Sequence, residues 1–287
     1  MMGAHHAACG AAAWVAVTTH VHIDLSPATV PLGLGPASFG LGWPLLEATP
    51  AGIVVGALVT AGAALLPDAD HRSATIAQSL PPVSNALCTV VGKVSGGHRN
   101  GTHSLFGVAV FTALAWLAAQ WTAVLEPWGT VYVGAGAFSL LLVSFAAKVL
   151  GALPDGVRRL PWILAVPLAA FVAVNAPDHP GWFPLAVGLG AAVHIAGDML
   201  TTGGCNLLWP LRFRRPRLLH KVPVVRWMWR RGGHLSIPVL GGAGSVREWL
   251  VLIPVGLYAF AGVGVALFAM GRSGLTALAL AWGIGGG

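Results

Sequence analysis

The chain has 287 residues, of which 56% are hydrophobic and only 9% charged, with a mean hydropathy of +0.76. An ordinary soluble domain carries about 25% charged residues, so this composition excludes one, and much of the surface must face lipid instead of water. The net charge of +7 would suggest nucleic acid in a soluble protein; in a chain this apolar, it reads as basic loops held on the cytoplasmic side, with headgroups a more economical partner than nucleic acid.

Apolar stretches recur at about 4–19, 51–66, 103–120, 130–149, 161–175, 183–200, 249–270 and 274–286. A full crossing needs about 20 such residues, so the first, fifth and last are short, and six to eight segments are expected to span. The predicted fold is therefore all-α: a polytopic integral membrane helical bundle. It forms one domain over 1–287, with a motif-bearing part at 1–210, a basic loop at 211–248 and C-terminal membrane segments at 249–286. No Lys or Arg precedes Arg72, so the start reads as a retained anchor and not as a secretory signal. The region 24–50, rich in Pro and Gly and without Lys or Arg, reads as an irregular external loop.

If all eight segments cross with the N-terminus inside, fifteen of the sixteen Lys and Arg residues fall on one side and only Arg272 on the other. Such a bias places the loops 67–102, 150–160 and 201–248 in the cytoplasm of a multi-pass plasma (inner) membrane protein. Within the last of these loops, residues 212–231 interleave Arg with Phe213, Trp227 and Trp229, the pattern of a strip lying on anionic lipid headgroups.

Four small clusters on that face carry the remaining chemistry. They are His5-His6, Asp68-Ala69-Asp70-His71, His98-Arg99 with His103-Ser104, and His194 with Asp198. Acids at a helix C-terminus are disfavoured by the dipole, which suggests a cation near Asp68 and Asp70. Pro67 interrupts the helix so that these side chains can converge. The i,i+4 spacing of His194 and Asp198 sets both on one helix face, and an Asp inside an apolar helix costs about 2.5–3.5 kcal/mol on insertion scales.

The candidate metal ligands are thus His6, Asp68, Asp70, His71, His98, His103, His194 and Asp198. A catalytic zinc takes about three protein ligands, so eight donors suit two ions, or one ion with a generous outer shell. Imidazole and carboxylate without thiolate fit zinc first, then manganese or iron. The three cysteines, at 9, 88 and 205, form neither a paired framework nor a metal spacing. Arg72 and Arg99 flank the ligands. Arg99 is suited to binding anionic oxygens, and Asp70 to acting as general base.

The order Met1-Met2-Gly3-x-x-His6-x-x-x-Gly10, Leu65-Leu66-Pro67-Asp68-x-Asp70-His71, His98-Arg99-x-x-Thr102-His103-Ser104, His194-x-x-x-Asp198-x-x-Thr201-x-x-Gly204 and Leu208-Trp209-Pro210 resembles the YdjM-like family of inner-membrane metal-dependent hydrolases. The resemblance covers about residues 1–210. It departs at His5, where a Thr is common, and does not account for the tail after Pro210. It implies membrane placement and metal binding more than any substrate.

The combined expectation is a hydrolase whose site at the cytoplasmic membrane face cleaves an ester or phosphoester, with a lipid headgroup as a plausible substrate. Two rivals from other classes are a transporter of metal ions or protons and a lipid-binding scaffold with a structural metal. Transport predicts ionisable groups through the full membrane depth, whereas here they gather at one face.

Overall fold

The computed structural model describes residues 1–24, 26–33, 35–36, 38–71, 74–152, 160–177, 179, 181–211, 219, 221–230 and 233–281. Arg72, Arg158, Arg159, the basic run 212–217 and Arg231 lie outside the described residues, so those parts of the expected basic face are not placed.

The molecule is an all-α bundle. Helix α1 (Gly3–Thr18) is followed by a two-stranded antiparallel ribbon, β1 (Val21–Asp24) with β2 (Ser38–Leu41), enclosing the one-turn α2 (Ser26–Thr29). The ribbon replaces part of the irregular loop expected at 24–50. Then come α3 (Pro50–Ala63), α4 (Val83–Val94), α5 (Leu105–Ala119), a second hairpin of β3 (Ala123–Leu125) with β4 (Gly129–Val131), α6 (Val133–Val149), α7 (Leu160–Val174), α8 (Trp182–Met199), α9 (Pro223–Met228) and α10 (Val246–Ala281).

Among the described residues, three helical stretches are long and apolar enough to cross a membrane: Pro50–Asp70, Trp182–Met199 and Val246–Gly274. Four further apolar helices are shorter, at Val83–Val94, Leu105–Ala119, Val133–Val149 and Leu160–Val174. One expectation is corrected here. The segment expected at 249–270 and the described part of the one expected at 274–286, up to 281, share one continuous helix, α10, which carries Arg272 within it. A single charged residue between two apolar runs does not interrupt backbone hydrogen bonding, so no turn forms there.

Local signals set the helix ends that matter for the centre. Thr49 caps α3 by accepting from Gly52 N–H at 3.1 Å, with Pro50 in the first turn, where its missing N–H leaves nothing unpaired. Ser104 caps α5 by accepting from Gly107 N–H at 3.1 Å. After Ala63 the chain tightens, and a 3-10 turn over Pro67–Asp70 ends the apolar run.

Helix α3 sits at the middle of the bundle, touching α1, α6, α8 and α10. Two glycines permit this. A Cβ on Gly10 of α1 would stand 2.5 Å from the Thr60 carbonyl oxygen, and one on Gly190 of α8 would stand 2.6 Å from the same oxygen. Small residues at such crossings let backbones meet where lipid supplies no hydrophobic drive between helices. Trp14, Phe145, Trp182 and Phe183 fill the rest of the core and are fully buried. By contrast α5 and α10 leave Leu114, Trp116, Leu257, Phe260 and Phe268 exposed, as lipid-facing surfaces are.

Candidate metal centre

Four segments converge where α3 and α8 end. Helix α1 carries His6, the 3-10 turn after α3 carries Asp68 and Asp70, the loop before α5 carries His98, Arg99 and His103, and the last two turns of α8 carry His194 and Asp198. Among the described residues, three sets of donors lie close enough to hold a metal ion, with all ligand atoms of a set within 4.8 Å of one another: His6, His194 and Asp198; Asp68, His103 and His194; and Asp70, His98 and His103.

Hydrogen bonds decide which nitrogen each imidazole offers. His194 Nδ1 lies 2.6 Å from the Ala64 carbonyl oxygen, which can only accept, so Nδ1 carries the proton and Nε2 keeps a bare lone pair. For His103, the Thr102 hydroxyl donates to Asp70 Oδ2 at 2.7 Å and is left as an acceptor for His103 Nδ1 at 3.1 Å. Its Nε2 is then the atom turned toward the carboxylates. Against the effect of burial, Asp68 and Asp70 raise the His103 pKa to about 9, so without a metal this nitrogen holds a proton, which an ion would displace. The two Nε2 atoms face one another at 3.1 Å. Two lone pairs at that distance repel unless a cation or a proton sits between them.

Carboxylates surround the same point. Asp68 Oδ1 is 3.5 Å from His103 Nε2 and 3.8 Å from His194 Nε2. Asp198 Oδ2 is 3.7 and 3.9 Å from them. Tetrahedral ligands about 2.0–2.1 Å from zinc stand about 3.3 Å apart, so the two imidazoles with either carboxylate fit three ligands of one ion with modest contraction. The residues fit a hard-to-borderline divalent cation in chemistry too, because three carboxylates are gathered here against two non-imidazole cations, Arg99 and the Met1 amine. Thiolate is not on offer. Burial, then the charge of Asp198, push the Cys205 thiol above its ordinary range and keep it protonated.

An outer shell holds these donors. Asp70, 6% exposed, has both oxygens occupied: Oδ1 by His98 Nδ1 at 2.8 Å, Oδ2 by the Thr102 hydroxyl and by Arg99 N–H at 3.3 Å. It pins the whole 98–103 loop, including Arg99, which adopts a left-handed φ of 64° that a non-glycine residue reaches only at some strain. The Arg99 guanidinium places Nη2 3.3 Å from Asp198 Oδ2 and donates from Nη1 to the Gly204 carbonyl at 3.3 Å. Asp198 Oδ1 receives the Met1 amine at 2.5 Å and lies 3.3 Å from His6 Nε2, while the His6 ring stacks on His194 with centroids 3.7 Å apart. His6 Nδ1 is buried without a hydrogen-bond partner.

Seven of the eight expected ligands thus fall in at least one of the three sets. His71 falls in none; its ring lies at the edge of that of His98, centroids 5.3 Å apart. Arg72 lies outside the described residues. Sequence reasoning gave no role to two groups that the fold brings in. Glu248, fully buried in the first turn of α10, accepts from His5 Nδ1 at 2.5 Å and from the backbone N–H of Met2 and Gly244, each at 2.8 Å. Thr102 links Asp70 to His103. An isolated acid at the head of an apolar helix was the available signal for Glu248.

A cleft of about 330 Å³ opens beside the cluster, with Asp68, His71 and His98 in its lining.

The architecture is that of an all-α membrane bundle with buried His and Asp groups able to hold a metal ion. The sequence family described as YdjM inner membrane protein matches residues 1–146 and 159–273, and the chain belongs to that family. The match extends well beyond Pro210, so the family accounts for the tail that the motifs alone did not. No curated protein and no solved structure matches the chain.

Proposed function

We propose that this protein is a metal-dependent hydrolase acting on an ester or phosphoester at the cytoplasmic face of the inner membrane, and that its centre holds one divalent ion, zinc before manganese or iron. The observation that carries the reading is the pair of Nε2 atoms of His103 and His194, facing one another 3.1 Å apart and flanked by Asp68 and Asp198. His194 has one free lone pair and belongs to two of the three donor sets, and His103 has its Nδ1 committed to Thr102 and Asp70. Lone-pair accounting therefore favours a single ion over two.

In this scheme His103, His194 and Asp198 would hold the ion and leave a position for water, and His6 steadies Asp198. When bound, the ion supplies Lewis-acid activation of water and of the scissile group. Asp68, whose side chain is 27% exposed and faces the cleft, accepts the proton of the attacking water. Asp70 orients His103 instead of acting as base, because donors already occupy both of its oxygens. Arg99 holds Asp198 in place. The Lys and Arg bias of the loops supports the cytoplasmic orientation and a multi-pass arrangement.

The test is elemental analysis of the detergent-purified protein, followed by chromogenic phosphoester and carboxyl-ester assays on wild type and Asp68→Asn. Near-stoichiometric metal with hydrolysis lost in the variant supports the reading. Stoichiometric metal with no hydrolysis of either ester would move it to a structural centre, and absence of metal in wild type would overturn it.

A further inference from the structure

The cleft beside the centre has an ordered polarity. Its apolar walls come from Leu65, at the end of the α3 run, from Val149, the last residue of α6, and from Ile76. Its polar side comes from Asp68, His71 and His98. Ile76 adds an apolar side chain from the 3-10 turn Thr75–Gln78, whereas Leu65 and Val149 lie at the ends of apolar helices, and Asp68, His71 and His98 lie in the segments just beyond or between helices. In a membrane protein that boundary is where hydrocarbon gives way to headgroups.

The two imidazoles are placed to meet a ligand. His98 spends Nδ1 on Asp70 and is 41% exposed in its side chain, which leaves Nε2 for the cleft. His71 is exposed and lies in none of the metal-ligating sets. With the ion held by His103, His194 and Asp198 beside Asp68, the polar wall offers three attachment points around one space: His71, His98 and the ion. A carboxylate has two oxygens to give them, whereas a phosphate monoester has three.

We infer that this cleft binds an amphiphile with a terminal phosphate, the phosphate seated between His71, His98 and the metal and the apolar portion lying along Leu65, Ile76 and Val149. The inference rests on the metal reading above and deepens it by naming the substrate class, a lipid phosphate. His71 then belongs to substrate binding and not to the metal.

The experiment measures binding to the full-length, detergent-purified protein, with metal content read on every sample. The probes are dihexanoyl phosphatidate, inorganic phosphate and hexanoate, and the proteins are wild type, His71→Ala and Thr75→Trp. Thr75 is exposed on the cleft wall, so an indole there obstructs the space without touching a candidate ligand. The expected result is phosphatidate bound at least tenfold more tightly than phosphate or hexanoate. His71→Ala should weaken both phosphates about tenfold at unchanged metal content, and Thr75→Trp should abolish the preference for phosphatidate over phosphate.

Equal affinity for phosphatidate and phosphate in wild type would overturn the lipid assignment, leaving a free phosphate as the ligand. Tighter hexanoate would overturn the phosphate. Loss of metal in His71→Ala would return His71 to the ligand set and overturn its substrate role. Metal-free wild type would strike at the metal reading itself; metal-loaded protein that binds none of the three probes would strike at this inference alone.

Discussion

Glu248 of α10 and His5 of α1 meet at 2.5 Å with both side chains withdrawn from solvent, and the same carboxylate also receives the backbone N–H groups of Met2 and Gly244. One residue further along α1 is His6, whose ring lies against His194. The pair therefore fixes the start of the first helix against the start of the last and, through it, the wall of the metal centre. Glu248→Ala would leave three donors without an acceptor. Breaking a buried pair from one side costs about 3–5 kcal/mol. Thermal unfolding in detergent should show a clearly lower midpoint, with Glu248→Gln intermediate because its amide oxygen still accepts. An unchanged midpoint in Glu248→Ala would remove the clamp from the account.

His103→Ala, His194→Ala and Asp198→Ala are each expected to strip bound metal to a small fraction of the wild-type content. His179→Ala, an exposed position before the start of α8 and so at the opposite end of that helix from His194 and Asp198, should retain it. Elemental analysis of the four variants side by side decides this, and equal metal in all of them would dismiss the ligand assignment.

The Thr102 hydroxyl gives a finer probe, since it bridges Asp70 and His103 Nδ1 and touches no proposed ion. Thr102→Val keeps the shape and removes the bridge. Loss of an orienting contact of this kind lowers metal affinity about 10–100-fold. A competition titration against a chelator should show that drop, and Thr102→Ser should recover most of it. If Thr102→Val bound metal as tightly as wild type, the orienting shell would be idle.

Removing the ion should loosen the whole protein, because a ligand present at about 1,000 times its Kd stabilises the native state by about 4 kcal/mol. Chelator-treated wild type is expected to unfold at lower temperature than metal-loaded protein. The His194→Ala variant should no longer respond to chelator. A chelator effect of the same size in both would point to a different ion site.

Crowding at the Thr60 carbonyl can be tested without touching the centre. Gly10→Val and Gly190→Val each force a side chain against that oxygen, and overpacking of this sort costs about 1–3 kcal/mol. Both should lower the unfolding midpoint, whereas Gly256→Val, on an open stretch of α10, should leave it within error. A neutral effect at Gly10 or Gly190 would contradict the close crossing of α1, α3 and α8.

The helices were legible because apolar runs in so uncharged a chain have little alternative, and the site was legible because ionisable residues are rare enough for four clusters to stand out. What escaped the sequence depends on backbone partners. Nothing in residues 249–286 says that Arg272 would be carried inside one helix instead of turning the chain, and the ribbon of β1 with β2 is hidden in a stretch dominated by Pro and Gly. Within the centre, the sequence names His194 but not its tautomer, which is set by the carbonyl of Ala64, a residue of no chemical distinction. Asp68 and Asp70 look equivalent two positions apart, yet the 3-10 turn leaves one at the cleft and gives the other to the 98–103 loop.

His103 and His194 are 91 residues apart in the chain. Synthesis proceeds from the N-terminus at about 5–20 residues per second, so for roughly 5–18 s the emerging polypeptide displays Asp68 and His103 with nothing opposite them. A nascent chain in that condition has no complete pocket for a cation. On the proposed metal reading, ion capture is therefore a late event in biogenesis, following synthesis of α8, and a shortage of metal would leave a population of fully made but unfinished molecules.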